Sequence, residues 1–264
     1  MAGMTWGIDE LDLNAYLRRI GVTEPTLKSV HAGHVASIPF ENIEVFLGAV
    51  PKLDIPSLQA KLVDRERGGY CYEHNLLYTA ALDRLGIPVQ RLVARPRIGG
   101  GPARPRTHML AVAEADGRQW LTDVGWGGGG LLEPMPFEEG TMQQGAWTYR
   151  LTRVDEQWVL QSLTDGKWVD YYGFTTERQY PADYEMANFY TATAPSSHFV
   201  ARLIAQRTGP EYRQGLLGNE LVKARPSGET EKRTLTADEV MDVLADTFGI
   251  VLTDAERDQL TQRI

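Results

Sequence analysis

Hydrophobic residues in the first third of the chain recur with the period of an α-helix. One face of an amphipathic helix is predicted from the spacing i, i+3, i+4, i+7 and i+8 of five residues: Leu27, Val30, His31, His34 and Val35. Three further helices are predicted, over residues 14–20, from residues 54–57 onward and over residues 71–85. The pattern therefore predicts a helical N-terminal region in which His31 and His34 belong to the core.

In the middle third, hydrophobic and polar residues alternate with the period of a β-strand. Strands are predicted over residues 89–95, 107–114, 118–124, 147–154, 158–163 and 167–174. Two of the connections are Asp116-Gly117 and Asp165-Gly166, a dipeptide typical of tight hairpins. Several short antiparallel strands joined by turns favour a barrel or a strongly curved sheet.

The last third has a mixed pattern. Residues 199–207 are predicted to be helical, and residues 218–232 are polar, rich in turn formers and able to hold a pair of strands. Thr236 with Glu239, and Thr253 with Glu256, match the S/T-x-x-E capping box, so each pair predicts the start of a helix.

Charge and cysteine content limit the kinds of partner and the compartment. The 264 residues include 27 Lys and Arg against 35 Asp and Glu, a net charge of −8, which argues against nucleic acid or an anionic membrane as the main partner. The single cysteine excludes an internal disulfide, so a reducing cytoplasm is the expected location. The acidic N-terminus predicts no signal peptide, and no apolar run approaches the length of a membrane span.

The one cysteine, Cys71, lies in the run Arg-Gly-Gly-Tyr-Cys-Tyr-Glu-His-Asn over residues 67–75. The two glycines allow a tight turn just before a helix begins. Free N–H groups and the positive end of the helix dipole at that position favour a thiolate, which is the nucleophilic form of cysteine. A small buried hydrophobic residue is the alternative interpretation of an isolated cysteine.

A thiolate nucleophile needs a base, and His108 is the best placed of the five histidines. His31 and His34 lie on the apolar stripe of their helix, and His198 lies in a loop before a predicted helix. His74 shares the helix of Cys71 and could approach it, although helical geometry directs it along the helix face.

The predicted hairpin brings His108 close to Asp123. A two-residue loop at Asp116-Gly117 places Leu110 opposite Asp123, so His108 and Asp123 become diagonal neighbours on one face. A four-residue loop would place them directly opposite, whereas a three-residue loop would separate them. The alternative for Asp123 is a turn former before Gly125. No local pattern brings Cys71 to this hairpin.

Several segments, in the same order along the chain, resemble the arylamine N-acetyltransferases. They are the 67–75 run, Ile38–Asn42, Thr107-His108, Asp123–Gly127, Phe189–Thr191, Ser196–Phe199 and Phe248–Ile250. The resemblance covers nearly the whole chain after about residue 10. The family pattern often has Phe where this chain has Tyr72 and Trp126, and we expect these differences to alter the shape of the pocket and leave the chemistry unchanged.

The resemblance implies an α+β fold with a helical bundle over residues 1–86, an antiparallel β-barrel over 87–190 and an α/β lid over 191–264. It implies a cysteine-protease-like triad at positions that match Cys71, His108 and Asp123. The activity it implies is ping-pong acetyl transfer from acetyl-CoA to a small aromatic amine or hydrazine, through an acetyl-cysteine and without a metal.

The run Gly125–Gly130 formally matches G-x-G-x-x-G, the phosphate-binding motif of dinucleotide enzymes. Pro134 and Pro136 follow and no helical pattern begins, so that interpretation fails. A flexible connection is one alternative. The resemblance implies another, in which the bare backbone of Gly127, Gly128 and Gly129 lets acyl-CoA approach the thiolate.

Aromatic residues near these motifs are candidates for the walls of an amine pocket. They are Phe40, Tyr70, Trp126 and Phe199, and core packing is the alternative for each. Five arginines between residues 91 and 106 form either a solvated loop or a rim that attracts CoA phosphates.

Three other functions are compatible with these residues. An amide synthase of the same fold would close a macrolactam from a carrier-bound polyketide and would need a larger pocket. A thiol hydrolase or transglutaminase-like enzyme also uses Cys, His and Asp. A binding module with an idle triad would leave Cys71 unreactive toward thiol reagents.

Overall fold

The N-terminal region is helical in the computed structural model, which describes residues 6–99 and 104–264. It contains a 3₁₀ turn (Ile8–Glu10), α1 (Leu13–Arg19), α2 (Leu27–Ser37), strand β1 (Phe40–Glu41), α3 (Ile43–Phe46), α4 (Ile55–Leu58), a π-helical turn (Gln59–Asp64) and α5 (Cys71–Arg84). The predicted helices are confirmed, and His31 and His34 are fully buried. The first five residues, on which the signal-peptide prediction partly rests, lie outside the described residues.

The middle of the chain forms an antiparallel sheet of eight described strands that curls into a nearly closed barrel. The strands are β2 (Val89–Pro96), β3 (His108–Ala115), β4 (Arg118–Thr122), β5 (Met135–Pro136), β6 (Gly140–Gln144), β7 (Trp147–Val154), β8 (Gln157–Thr164) and β9 (Lys167–Phe174). Their order is β5-β4-β3-β2-β9-β8-β7-β6. The inward side chains, among them Leu110, Tyr149 and Leu160, are fully buried and form the barrel core.

The turn between β3 and β4 has the conformation that the Asp-Gly pair predicts. Asp116 and Gly117 have φ of 54° and 70°, the left-handed values required by a two-residue type I′ turn. Ala111 pairs with Thr122 and Ala115 with Arg118, which is the register of a two-residue loop. The predicted register of this hairpin is therefore confirmed.

The last part of the chain combines helices with a second antiparallel sheet. Its elements are α6 (Pro181–Thr193), α7 (His198–Ala201), β10 (Ile204–Thr208), β11 (Arg213–Leu217), β12 (Glu220–Ala224), β13 (Thr230–Thr234), α8 (Ala237–Asp246) and α9 (Asp254–Thr261). The sheet order is β1-β10-β11-β12-β13. Both capping boxes are present, since Thr236 and Thr253 accept hydrogen bonds from the amides of Glu239 and Glu256.

The helix predicted over residues 199–207 is wrong. Helix α7 ends at Ala201, and β10 follows because it pairs with β1 on one side and β11 on the other. Asn42 stabilises the break, since its Nδ2 donates to the carbonyls of Phe199 and Arg202 and its Oδ1 accepts from the amide of Ile204. This long-range pairing outweighs the local helical pattern.

The molecule is thus an α+β protein with a helical region, an antiparallel barrel and a mixed C-terminal region. The boundaries at residues 86 and 190 stay a prediction. Among residues 6–99 and 104–264, no helix has both the length and the apolar character needed to cross a membrane.

Candidate active site

Cys71 is the first residue of α5, and the two glycines before it lie where no side chain fits. A Cβ on Gly68 would overlap the carbonyl oxygen of Pro39, and one on Gly69 would lie 2.7 Å from Oε2 of Glu73. The amide of Glu41 also donates to the carbonyl of Gly69, at 2.8 Å. The glycines therefore let this turn lie directly against β1.

Two buried charged groups hold the turn from either side. Nε of Arg67 donates to Oε1 of Glu41 at 3.0 Å, and its Nη1 lies 2.6 Å from Oε1 of Glu256 on α9. Glu73 accepts from the amide of Tyr70 at 3.0 Å and from Nζ of Lys61 at 2.7 Å. Burial raises the pKa of Glu73 to about 7, although the Lys61 ammonium acts in the opposite direction. These contacts fix the start of α5, and with it Cys71.

The hairpin places His108 and Asp123 in direct contact. Nε2 of His108 lies 2.7 Å from Oδ2 of Asp123, and both side chains are buried. The other carboxylate oxygen accepts from Nδ2 of Asn75 at 3.0 Å and from the amide of Gly125 at 2.9 Å. The carboxylate is therefore held on both oxygens and presents a fixed edge to the imidazole.

The thiol of Cys71 approaches the same imidazole, so the structure brings the three predicted residues together. Its Sγ lies 3.6 Å from the carbonyl oxygen of Thr107, the residue directly before His108, and Cys71 and His108 line the same cavity. Because Nε2 of His108 is occupied by Asp123, the ring nitrogen left for the thiol is Nδ1. The approach requires Gly125, since a Cβ there would lie 2.8 Å from the Cα of Cys71.

The charges of the pair are mutually stabilising. Burial alone would lower the pKa of His108, but the Asp123 carboxylate and the Cys71 side chain outweigh it and raise that pKa to about 9. Burial alone would raise the pKa of Asp123, but His108, Asn75 and the Gly125 amide lower it below its usual value. Near neutral pH the site therefore favours an imidazolium paired with a carboxylate, the form that stabilises a neighbouring thiolate.

A cavity of about 280 Å³ opens above Cys71. Residues from β1, α5, the barrel region and the segment from α7 to β11 line it: Phe40, Cys71, Pro96, Ile98, Arg104, Thr107, His108, Gly125, Trp126, Gly128, His198, Phe199, Ile204, Gln206 and Leu217. Trp126 lies edge-on to His108, with ring centroids 4.8 Å apart. Such a cavity suits a flat apolar molecule next to the thiol.

The four aromatic candidates do not all reach this cavity. Phe40, Trp126 and Phe199 line it, whereas Tyr70 is fully buried behind it. The hydroxyl of Tyr70 bonds Oδ1 of Asn188, and its ring packs edge-on against Phe199 with centroids 5.7 Å apart. We expect Tyr70 to shape the wall from behind through Phe199.

The glycine run is packed in a defined position against β10. The amide of Gly128 donates to Oε1 of Gln206 and that of Gly129 to Oγ1 of Thr208, both at 2.9 Å. A Cβ on Gly127 would overlap Gln206. Gly128 reaches the cavity wall, and the other two glycines lie outside it.

Most arginines of the basic cluster are paired with carboxylates. Arg91 bonds Asp83 at 2.6 Å, Arg97 bonds Asp170 at 3.1 Å and Arg106 bonds Glu177 at 3.4 Å. Arg104 lines the cavity. In the part of the chain that the structure describes, no cluster of His, Cys, Asp or Glu is arranged as a metal site.

The sequence pattern did not identify the residues that join Cys71 to the hairpin. Asn75 is the main one, because it bonds Asp123, the carbonyl of Met109 at 2.7 Å and the amide of Val124 at 3.2 Å. Its position four residues after Cys71, on the same helix face, was a usable signal. Tyr172 of β9 is a further site residue that the pattern did not identify, since its ring packs 4.8 Å from that of His108.

Comparisons with known proteins agree with this arrangement. Residues 24–257 match the N-acetyltransferase family. An arylamine N-acetyltransferase of Mycolicibacterium smegmatis is 42% identical over 92% of this chain and 94% of its own. The structure of the arylamine N-acetyltransferase from Mycobacterium abscessus matches with a TM-score of 0.93 and 35% identity, over 100% of this chain and 98% of that one. The structure of the arylamine N-acetyltransferase from Mycobacterium marinum, solved in complex with CoA, matches with a TM-score of 0.89 and 38% identity, over 96% of this chain and 98% of that one. This chain therefore belongs to the arylamine N-acetyltransferase family of acyltransferases.

Proposed function

We propose that the protein transfers an acetyl group from acetyl-CoA to the nitrogen of an arylamine or arylhydrazine by a ping-pong mechanism, with Cys71 as the nucleophile. The observation that carries the proposal is that Cys71 shares the wall of one cavity with the His108 imidazole, which a buried carboxylate holds. In this proposal His108 is the acid and base, and Asp123 orients it.

In the first half-reaction the Cys71 thiolate attacks the thioester carbonyl. The C–S bond to CoA breaks, and the departing CoA thiolate takes a proton from the His108 imidazolium. The products are an acetyl-cysteine and a neutral His108. Asp123 keeps the ring in the orientation that presents Nδ1 to the reacting atoms.

In the second half-reaction the amine nitrogen attacks the acetyl-cysteine. His108 accepts the proton from that nitrogen, and the C–S bond to Cys71 breaks as the amide forms. Cys71 leaves as a thiolate next to an imidazolium, so the starting ion pair is restored. An arylamine nitrogen is a suitable nucleophile because it is largely unprotonated at neutral pH.

Two features support an aromatic acceptor and a CoA donor. Phe40, Trp126 and Phe199 offer ring faces and edges at the cavity wall. The Gly128 backbone, without a side chain, leaves room at the same wall for the chain of a thioester. The relative from Mycobacterium marinum was solved with CoA, which favours the same donor here. We propose Gly127 and Gly129 as backbone supports of this approach.

The other functions receive less support. The relatives found are named arylamine N-acetyltransferases, so the amide synthase gains nothing from them and is not retained. A hydrolase would release acetate when no amine is present, whereas the proposed enzyme keeps its acetyl group until an amine arrives.

Initial-rate kinetics test the two-step order. When acetyl-CoA and an arylamine such as 4-aminobenzoate are varied together, a ping-pong enzyme produces parallel double-reciprocal lines. Intersecting lines, together with CoA release only in the presence of amine, would overturn the covalent step. Cys71→Ala should lose acetyl transfer, because the chain contains no second cysteine that could replace it as nucleophile. The variant should remain folded.

A further inference from the structure

The carbonyl oxygen of Thr107 is approached by two side chains from the first turn of α5. The hydroxyl oxygen of Tyr72 lies 2.9 Å from it, and Sγ of Cys71 lies 3.6 Å from it. Thr107 directly precedes His108, and Tyr72 directly follows Cys71. The contact therefore connects the backbone at the proposed base to the residue after the proposed nucleophile.

The hydrogen of the Tyr72 hydroxyl can be assigned to this carbonyl. Oγ1 of Thr191 is the other neighbour of that hydroxyl, at 3.3 Å, but it donates its own hydrogen to the carbonyl of Ala187 at 2.7 Å. A phenol has one hydrogen, and the shorter contact is with Thr107. Tyr72 is fully buried, so water does not compete for its hydroxyl hydrogen.

We propose that Tyr72 is a positioning residue for the nucleophile: by donating to the Thr107 carbonyl, its hydroxyl lets the Cys71 proton move to His108. This inference rests on the proposed role of Cys71. Without the phenol, the thiol would be the protein donor within reach of that half-buried oxygen, and ionisation of the thiol would remove this hydrogen bond. With the phenol in place, the carbonyl stays hydrogen-bonded whether or not Cys71 carries a proton.

The same bond weakens an unfavourable interaction of the thiolate. A bare carbonyl directs the negative end of its dipole toward Sγ, which favours the protonated thiol. The positive end of the Tyr72 O–H dipole at that oxygen offsets part of this effect. Besides Tyr72 itself, the titratable groups that feel the charge of Cys71 are Tyr70 on the preceding turn, His108 on β3 and Tyr184 on α6. Tyr72→Phe changes none of them.

Alkylation of the single cysteine by iodoacetamide measures this effect directly. In Tyr72→Phe, the pH dependence of labelling should move to higher pH, and labelling at pH 7 should slow by roughly three- to tenfold, the range for loss of one neutral hydrogen bond. Tyr149→Phe is the matched control. It removes a buried phenol of the barrel core that also donates to a backbone carbonyl, that of Gly130 at 2.8 Å. Its labelling curve should coincide with that of the wild type.

A second variant keeps the test decisive if Tyr72→Phe does not fold, as judged by circular dichroism. A fluorotyrosine placed at position 72 keeps the shape and donates a stronger hydrogen bond, so labelling should move to lower pH. Wild-type labelling in both position-72 variants, or equal shifts in Tyr72→Phe and Tyr149→Phe, would overturn the role of Tyr72. Alkylation reports ionisation without any acetyl transfer, so failure here is distinct from an active Cys71→Ala, which would overturn the proposed function.

Discussion

At the scale of single residues, the site depends on a buried charge pair that neither partner could sustain alone. A buried imidazolium or carboxylate is costly unless it is paired and hydrogen-bonded. His108 and Asp123 pair with each other, and Asn75 and the Gly125 amide occupy the remaining carboxylate oxygen. The imidazole of His108 is therefore held in its protonated form next to Cys71 at neutral pH.

Replacing Asp123 by Asn should lower the pKa of His108, because the imidazolium loses its counter-charge while the shape is nearly kept. Alkylation of Cys71 should then move to higher pH and acetyl transfer should fall strongly; the loss of the orienting carboxylate costs about 10⁴-fold in serine proteases. Asp116→Asn, at the turn of the same hairpin, is the control and should match the wild type in both assays. Unchanged turnover in Asp123→Asn would reduce Asp123 to a turn former.

The pair should also make the stability of the protein depend on pH. The pKa of His108 is raised from 6.5 to about 9 on folding. The contribution of His108 to the stability of the fold is therefore complete below pH 6.5 and is lost as the pH rises through 9. The pKa of Asp123 is lowered, so its contribution is lost only as the pH falls through the acid range. Urea unfolding should show a higher free energy of unfolding for the wild type than for Asp123→Asn at pH 6. This difference in the free energy of unfolding should become smaller by pH 9. A difference that does not change with pH would contradict the assigned charges.

At the scale of elements, the site is the meeting of one hairpin with the start of one helix. The hairpin could be predicted because its register depends only on the Asp116-Gly117 turn and the period of two. Its contact with α5 could not be predicted from periodicity, since it is made by the Asn75 side chain across 48 residues of sequence. The same limit applies to β10, whose partner β1 is distant in the sequence.

The close approach of these two elements is tested at Gly125. A Cβ there would lie 2.5 Å from Nδ2 of Asn75 and 2.8 Å from the Cα of Cys71, so Gly125→Ala must move the segment after β4 away from α5. We expect a loss of stability of about 1–3 kcal/mol, the usual cost of overpacking, and a larger relative loss of acetyl transfer. Gly140→Ala is the control, because a Cβ at that position meets nothing within 4 Å. If the two variants behave alike, close contact at Gly125 is not required.

At the scale of the whole molecule, the cavity exists only because three regions of the chain meet. Helix α5 supplies Cys71, the barrel supplies His108 and Trp126, and the segment from α7 into β10 supplies Phe199 and Gln206. Arg67 adds a connection from the turn before Cys71 to α9. The α+β class and most elements could be predicted from the sequence, whereas the cavity wall could not, because it depends on these long-range contacts.

The shape of this cavity predicts the choice of acceptor. Aromatic rings at the wall favour flat aromatic amines and hydrazides over flexible alkyl amines, which are also protonated at neutral pH. In a competition assay, aniline-type acceptors should be acetylated in preference to lysine. Phe199→Ala should reduce that preference, while Phe137→Ala, a residue packed against the barrel core outside the cavity, should keep it. A clear preference of the wild type for the alkyl amine would contradict the assigned pocket.

The central claim is that Cys71 carries the acetyl group, and the mass of the intact protein tests it most directly. After incubation with acetyl-CoA and no amine, the wild type should gain a single acetyl group, located on Cys71 by peptide analysis and lost when an arylamine is added. Cys71→Ala should gain none. An unmodified wild type that nevertheless acetylates the amine, or an acetyl group on another residue that turns over at the catalytic rate, would contradict the account.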